Sequence, residues 1–246
     1  MKKISSIHNE EIKAVAKLHS VKGRREQNRF FAEGVTVCTT LIAAGHKPIQ
    51  LYAIEMMLSQ AKQLVAGHLI TEVDSVVFAK ISAAQTPSGI LAVFLIPLAP
   101  EPTLLSAGIV LYNVADPGNM GTLLRTCAAM GKKTAVIVEG ADPWGPKVVQ
   151  ASAGTIGLLN IFELSWPSVQ TYKCDLRLCA LVIRGGATID KSVHTNILFV
   201  VGNEAQGIPE QAVHECDQQV TLTMPGNIDS LNVAVAGSIA MYLAWH

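Results

Sequence analysis

From Gly108 onward, short apolar runs recur at regular intervals, and this rhythm constrains the fold more than any other feature of the chain. The runs are Gly108–Tyr112, Thr134–Val138, Leu159–Phe162, Leu178–Val182 and Ile197–Val201. Each is strand-length and bounded by turn residues, and the segments between them carry helical spacing near Gly121–Met130, Pro146–Ser152, Ser168–Tyr172 and Pro209–His214. A further strand at Gln219–Leu222 precedes a terminal helix running from Ser230 to Trp245. Strands that alternate with helices pair in parallel through right-handed crossovers. A parallel sheet is covered on both faces, which is why its strands read as apolar throughout. The composition fits: half of the 246 residues are hydrophobic and only 5% are aromatic, so the core is aliphatic and extensive.

The first part of the chain has a less regular pattern. Helical spacing over residues 8–19 is expected to break at Gly23, and helices follow at Val35–Ala44, stopped by Gly45, at Ser59–Val65 and at Ser75–Ile81. Strands are expected at Phe30–Ala32, Ile49–Ile54 and Gly89–Ile96. Residues 97–106 hold Pro97, Pro100 and Pro102 with Thr103 and Ser106, a linker composition. The expected organisation is therefore a small α/β domain over 1–96, a linker over 97–106, and a larger parallel-sheet domain over 107–246.

Net charge is zero, but it is unevenly spread. Residues 1–34 hold eight Lys/Arg against four Asp/Glu, a surplus of +4, whereas residues 105–246 hold eight against eleven, a deficit of −3. Lys22, Arg24, Arg25 and Arg29 form a patch suited to phosphate, with a solvated helix end as the equal alternative. The five cysteines are odd in number and have no C-x-x-C spacing, which argues against a metal site or a disulfide framework and suits a reducing compartment. The N-terminus lacks the apolar core of a signal peptide, and the longest apolar stretch, Val233–Trp245, is too short to span a bilayer. A cytoplasmic location without a membrane partner is expected.

In an open parallel sheet, ligands bind beyond the carboxyl ends of the strands. Three segments occupy such positions. Asn113-Val-Ala-Asp116-Pro117-Gly118-Asn119-Met-Gly121 leads into a helix carrying Arg125, so Asn113, Asn119 and Arg125 can converge on one polar substrate. Gly202-Asn203-Glu204-Ala-Gln206-Gly207 follows an apolar strand and offers one carboxylate between two glycines. It has neither the Lys of a phosphate-binding P-loop nor a G-x-G-x-x-G fingerprint. The third, Leu222-Thr-Met224-Pro225-Gly226 through Ser230-Leu231-Asn232-Val233, has Ser230 as expected helix cap and Asn232 in the first turn. Taken singly, each is equally well an ordinary connector or a capped packing helix.

Taken together, in this order, they resemble the signature motifs of the SpoU/TrmH family of RNA ribose 2′-O-methyltransferases, within the SPOUT superfamily. The matching pattern is N-x-x-D-P-x-N-x-G-x-x-x-R-T, then G-x-E-x-x-G, then M-x-G-x-x-x-S-L-N-V-x-x-A, and it covers residues 106–246. In the head, Arg24-Arg25-Glu26, Phe30-Phe31-Ala-Glu33-Gly34 and Gln85-Thr-Pro87-Ser-Gly89-Ile look like the family's small substrate-binding domain.

The resemblance implies a C-terminal trefoil knot that binds S-adenosyl-L-methionine, with Gly202, Leu222 and Leu231 in contact and Glu204, Met224 and Asn232 nearby. It implies Asn113, Arg125, Glu204, Ser230 and Asn232 as catalytic positions, RNA contacts at Lys22, Arg24, Arg25, Arg29 and Asn119, a homodimer, and no metal. Relatives often assign Arg125 the role of proton acceptor, yet a guanidinium is always protonated and has no acceptor atom. Arg125 is better suited to gripping phosphate and stabilising a developing alkoxide. Ribosomal RNA is the expected substrate; the alternatives are transfer RNA, a methylated base nitrogen, or a knotted RNA-binding or assembly factor without activity. Gln150 stands where many relatives carry Arg, Thr223 where Pro is frequent, Ala234 where Ser is frequent and Cys127 where Ala is frequent.

Overall fold

Strand-helix alternation of this kind buries one core per sheet, and the chain builds two. The computed structural model describes residues 2–189, 196–226 and 230–246. They divide into two compact units, one reaching to Leu98 and taking in Trp144–Gly157, the other comprising Ala99–Pro143 and Leu158–His246.

The first unit runs β1 (Lys2–Ile4), α1 (Glu10–Lys17), α2 (Val21–Gln27), β2 (Arg29–Glu33), α3 (Val35–Ala43), β3 (Pro48–Ala53), α4 (Leu58–Leu64), β4 (Ile70–Val73), α5 (Ser75–Ile81) and β5 (Ile90–Leu95). Its sheet has the order β1-β4-β3-β5-β2, parallel from β1 to β3 and antiparallel where β5 meets β3 and β2. Ile12, Val15 and Leu18 beside α5's Val77, Phe78 and Ile81 form the core on one side. Strands β1 and β4 escape the sequence pattern because they are short and carry Lys2, Lys3, Thr71 and Glu72; Lys3 and Glu72 pair across them.

Gly23 does not break the first helix, as its sequence suggests, but lies inside α2. The chain turns earlier, at Leu18, and restarts with Ser20 as cap, its hydroxyl accepting from Gly23 N at 3.0 Å. Glycine is required for a different reason: a Cβ there would lie 2.0 Å from the Lys17 carbonyl oxygen.

The second unit begins with β6 (Gly108–Tyr112), α6 (Pro117–Ala129) and β7 (Thr134–Val138). The chain then lends α7 (Pro146–Ala151) to the first unit, where it packs on β2 and Trp144 lies 4.8 Å from the Phe30 ring. It returns with β8 (Asn160–Glu163), α8 (Trp166–Tyr172), β9 (Arg177–Leu181), β10 (Ala187–Thr188), β11 (Ile197–Val201), α9 (Glu210–His214), β12 (Gln218–Thr221) and α10 (Val233–Trp245). The sheet order is β10-β12-β9-β11-β6-β7-β8 and every pair is parallel, as the apolar rhythm requires. Val110, Val136, Leu178, Leu198 and Val200 face α8 and α9, while Phe199 on the other face meets Trp245 of α10 edge-on at 5.4 Å.

Two helix starts differ from expectation. Helix α6 begins at Pro117 because Asp116 caps it, accepting from Asn119 N at 2.8 Å, and proline at the first position needs no N–H partner. Helix α10 begins at Val233 because Asn232, not Ser230, is the cap, its side chain accepting from Ala234 N and Val235 N. Among the described residues, no helix is long and apolar enough to cross a membrane.

Candidate active site

Strands β6 and β11 are neighbours, with Leu111 opposite Val201, so the loops leaving their carboxyl ends emerge side by side. The first loop begins at Asn113, whose φ of 52° is in the left-handed region that asparagine tolerates better than most residues. Its backbone N donates to Val138 O at 2.7 Å and its carbonyl accepts from Asn203 Nδ2 at 3.0 Å. Its own side-chain amide has no partner among the described residues.

The second loop closes on itself, Asn203 N to Gly207 O at 3.0 Å and Gly207 N to Asn203 O at 2.9 Å. Glycine at 202 is dictated by this closure, since a Cβ there would meet Gly207 C at 2.2 Å. From this loop the Glu204 carboxylate reaches the first. Its Oε2 accepts from Ala115 N at 3.2 Å, and its Oε1 accepts from Asp116 N at 3.1 Å and Asn119 Nδ2 at 2.9 Å. Partial burial pushes this carboxyl's pKa up, but the bonds from Asn119, its own loop, Asp116 and Ala115 outweigh it, so the net shift is below the ordinary value of 4.5.

The third segment joins through Asn119, whose Oδ1 accepts from Asn232 Nδ2 at 3.0 Å. Asn232 in turn caps α10. A continuous polar chain, Glu204 to Asn119 to Asn232, therefore ties all three motif segments together. The sequence predicts an RNA contact at Asn119; within the protein its amide donates to Glu204 and accepts from Asn232. Its role was missed because spacing along a helix does not reveal which loop the amide meets.

Beside this chain lies a cleft of about 200 Å³, open to solvent. Gly202, Glu204, Leu222, Met224, Ser230 and Leu231 line it; Asn232 stands behind it in the polar chain. Leu181, Val182 and Ile183 also line it; none is among the expected site residues, although they end and follow β9 and satisfy the same strand-end rule. Aliphatic walls, loop backbone and, among the described residues, a single carboxylate suit a nucleoside with a polar tail, and S-adenosylmethionine fits that description. Arg125 is exposed on α6 with no hydrogen-bond or ion-pair partner among the described residues. The buried thiols of Cys127 and Cys179 are pushed up to about 12 by burial and are poor nucleophiles. Among the described residues no cluster of His, Cys, Asp and Glu could hold a metal.

In the first unit the basic residues separate. Lys22, Arg25 and Arg29 are exposed. Arg24 is only 3% exposed, and its Nη1 donates to the carbonyls of Leu18 and His19 at 2.7 and 3.0 Å. It therefore closes the α1–α2 turn, and the assignment of Arg24 to the phosphate-contacting patch is corrected. Of the three neighbouring cations on this seven-residue helix one turns inward, and sequence alone does not say which.

An apolar cleft at the carboxyl ends of parallel strands, with one carboxylate and an asparagine network, defines a nucleoside-cofactor enzyme of the α/β class. Residues 106–242 match the SpoU rRNA Methylase family, and residues 9–92 match the MRM3-like substrate binding domain. An uncharacterized tRNA/rRNA methyltransferase of Synechocystis is 30% identical over 98% of this chain and 92% of its own. The 23S rRNA (guanosine(2553)-2′-O)-methyltransferase RlmP of Bacillus subtilis is 28% identical, covering 98% of both chains. The AdoMet-bound rRNA methyltransferase from Sinorhizobium meliloti superposes with a TM-score of 0.84 at 25% identity, over 98% of this chain and 96% of that one. The chain belongs to the SpoU family of methyltransferases, preceded by a substrate-binding domain of the MRM3 type.

Proposed function

We propose that this protein transfers a methyl group from S-adenosylmethionine to a ribose 2′-hydroxyl of ribosomal RNA. The observation that carries the proposal is the hydrogen-bonded chain from Glu204 through Asn119 to Asn232, which draws three strand-end loops around one cleft. Bound there, S-adenosylmethionine supplies an electrophilic methyl group on a sulfonium.

The chain's own residues have two tasks, alignment and charge stabilisation, because a hydroxyl is a weak nucleophile and displacement must be in line. Gly202, Leu222, Met224 and Leu231 hold the cofactor by close backbone approach and apolar contact. Glu204 keeps the 115–119 segment in place, and Asn232 aligns the start of α10 with it. Asn113 and Ser230 contribute polar groups beside the cleft. Arg125, exposed and with no hydrogen-bond or ion-pair partner among the described residues, grips an RNA phosphate and stabilises the alkoxide as the proton leaves to phosphate or water.

The small domain, 1–96, brings the RNA through Lys22, Arg25 and Arg29, a cationic surface that the negatively charged 107–246 region lacks. Ribosomal RNA is favoured over transfer RNA by the RlmP relative and the family description. The enzyme acts in the cytoplasm as a homodimer. The exposed apolar stripe of α10, Val235, Ile239, Tyr242 and Leu243, supports a second copy covering that helix. The C-terminal knot belongs to the same reading, supported by the family match over residues 106–242.

Mapping 2′-O-methylation across total RNA from cells with and without the protein tests the proposal. A ribosomal site lost on deletion, and restored in extracted RNA by purified protein and cofactor, is the expected result. Persistence of every site overturns it.

A further inference from the structure

We propose that Asn203 is a positioning residue that locks the cofactor-side loop and the substrate-side loop in one register; the functional half of this inference rests on the reading above. Its amide is divided between the two loops. Oδ1 accepts from Ala205 N at 2.9 Å and Gln206 N at 3.1 Å, closing the 202–207 loop that lines the cleft. Nδ2 donates to the Asn113 carbonyl at 3.0 Å in the other loop.

Asn113 is the residue that needs such a hold. It sits at φ 52°, and the bonds at its N and O, to Val138 and Asn203, brace that conformation from both sides. Directly after it come the Ala115 and Asp116 N–H groups that meet Glu204. Neighbouring residues 203 and 204 thus grip successive parts of one loop, the first by donating and the second by accepting. Serving both loops at position 203 takes a short side chain whose donor and acceptor are separate atoms, as in asparagine.

The two halves separate by substitution. N203D keeps the acceptor for Ala205 and Gln206 but sets a carboxylate oxygen against the Asn113 carbonyl; N203A removes both functions. In N203D, kcat is expected to fall about tenfold while S-adenosylmethionine affinity stays within about twofold; in N203A both fall. The N203D deficit shrinks only as pH falls toward the ordinary aspartate pKa, about 4, because protonating the introduced carboxyl restores a donor. A purely structural loss would instead lower cofactor affinity together with kcat in N203D.

Hydrogen exchange over residues 113–119 provides a readout independent of activity. It is expected to quicken in both variants while β6 and β11 keep their protection, which also shows that the variants fold. Unchanged exchange in 113–119, or a kcat for N203D equal to wild type, overturns the proposal. Wild-type protein without methyl transfer overturns the functional reading instead, and the exchange result still decides whether Asn203 joins the loops.

Discussion

Replacing Glu204 by glutamine preserves size and removes the charge and one acceptor oxygen. Two of the three bonds seen here survive if the remaining oxygen takes the Oε1 position, serving Asp116 N and Asn119 Nδ2, while Ala115 N then faces an NH₂ group. Hydrogen bonds to a charged acceptor contribute about 1.5–3 kcal/mol each against about 1 kcal/mol for neutral ones. Glu204 is exposed, so screening reduces that difference, and we expect a net loss of about 1–2 kcal/mol. Expressed in the loop geometry that binds cofactor, this weakens S-adenosylmethionine affinity by roughly tenfold.

The pH dependence follows from the lowered carboxyl pKa. A group whose folded pKa lies below its unfolded value stabilises the fold fully above the unfolded value, near 4.5, and the contribution is lost as pH falls through the folded pKa. The stability gap between wild type and E204Q should therefore be constant near neutrality and close as pH falls below that value. Urea unfolding across pH, with calorimetric titration of the cofactor, measures both effects. A gap that stays open under acid conditions, or an unchanged cofactor affinity, refutes the reasoning.

Arg125→Lys keeps the charge but loses the planar fork, and single-turnover methylation should slow at least tenfold with cofactor affinity unchanged; near-normal rates would remove any need for a bidentate grip. Arg24→Ala should destabilise the fold by about 3 kcal/mol in chemical denaturation, because two carbonyls lose their donor and a buried volume empties. Arg29→Ala, by contrast, should leave the melting temperature alone while weakening RNA binding and flattening its salt dependence. Gly202→Ala forces a Cβ into the Gly207 backbone, so cofactor binding should fall below detection by calorimetry while the far-ultraviolet spectrum stays native.

The parallel sheet was readable because its strands are uniformly apolar and separated by helices, a pattern with few other solutions. β1 and β4 were not, since they are short and carry charged residues, and the partners that hold them, such as Glu72 for Lys3, come only with folding. The three site segments were legible by the strand-end rule and by resemblance, yet the helix starts at Pro117 and Val233 depended on which of two good caps, Asp116 or a later turn and Ser230 or Asn232, the tertiary contacts favour. Asn119 and Asn203 show the same limit at the site. Their residue types suggest polar work, whereas their partners lie 85 and 90 residues away in the chain. Arg24 differs from Arg25 and Arg29 only in the direction it faces.

The loan of Trp144–Gly157 to the first unit has a consequence for how the protein is made. Trp144 covers Phe30, and the Gly154 backbone sits against Val37 O so closely that a Cβ would come within 2.7 Å. During synthesis the N-terminal unit therefore remains open along β2 and α3 until the chain has been extended past residue 157, by which time β6, α6 and β7 have already emerged. The two halves mature in an interleaved order, and a single cut at the proline-rich linker would leave the N-terminal fragment without its own last piece.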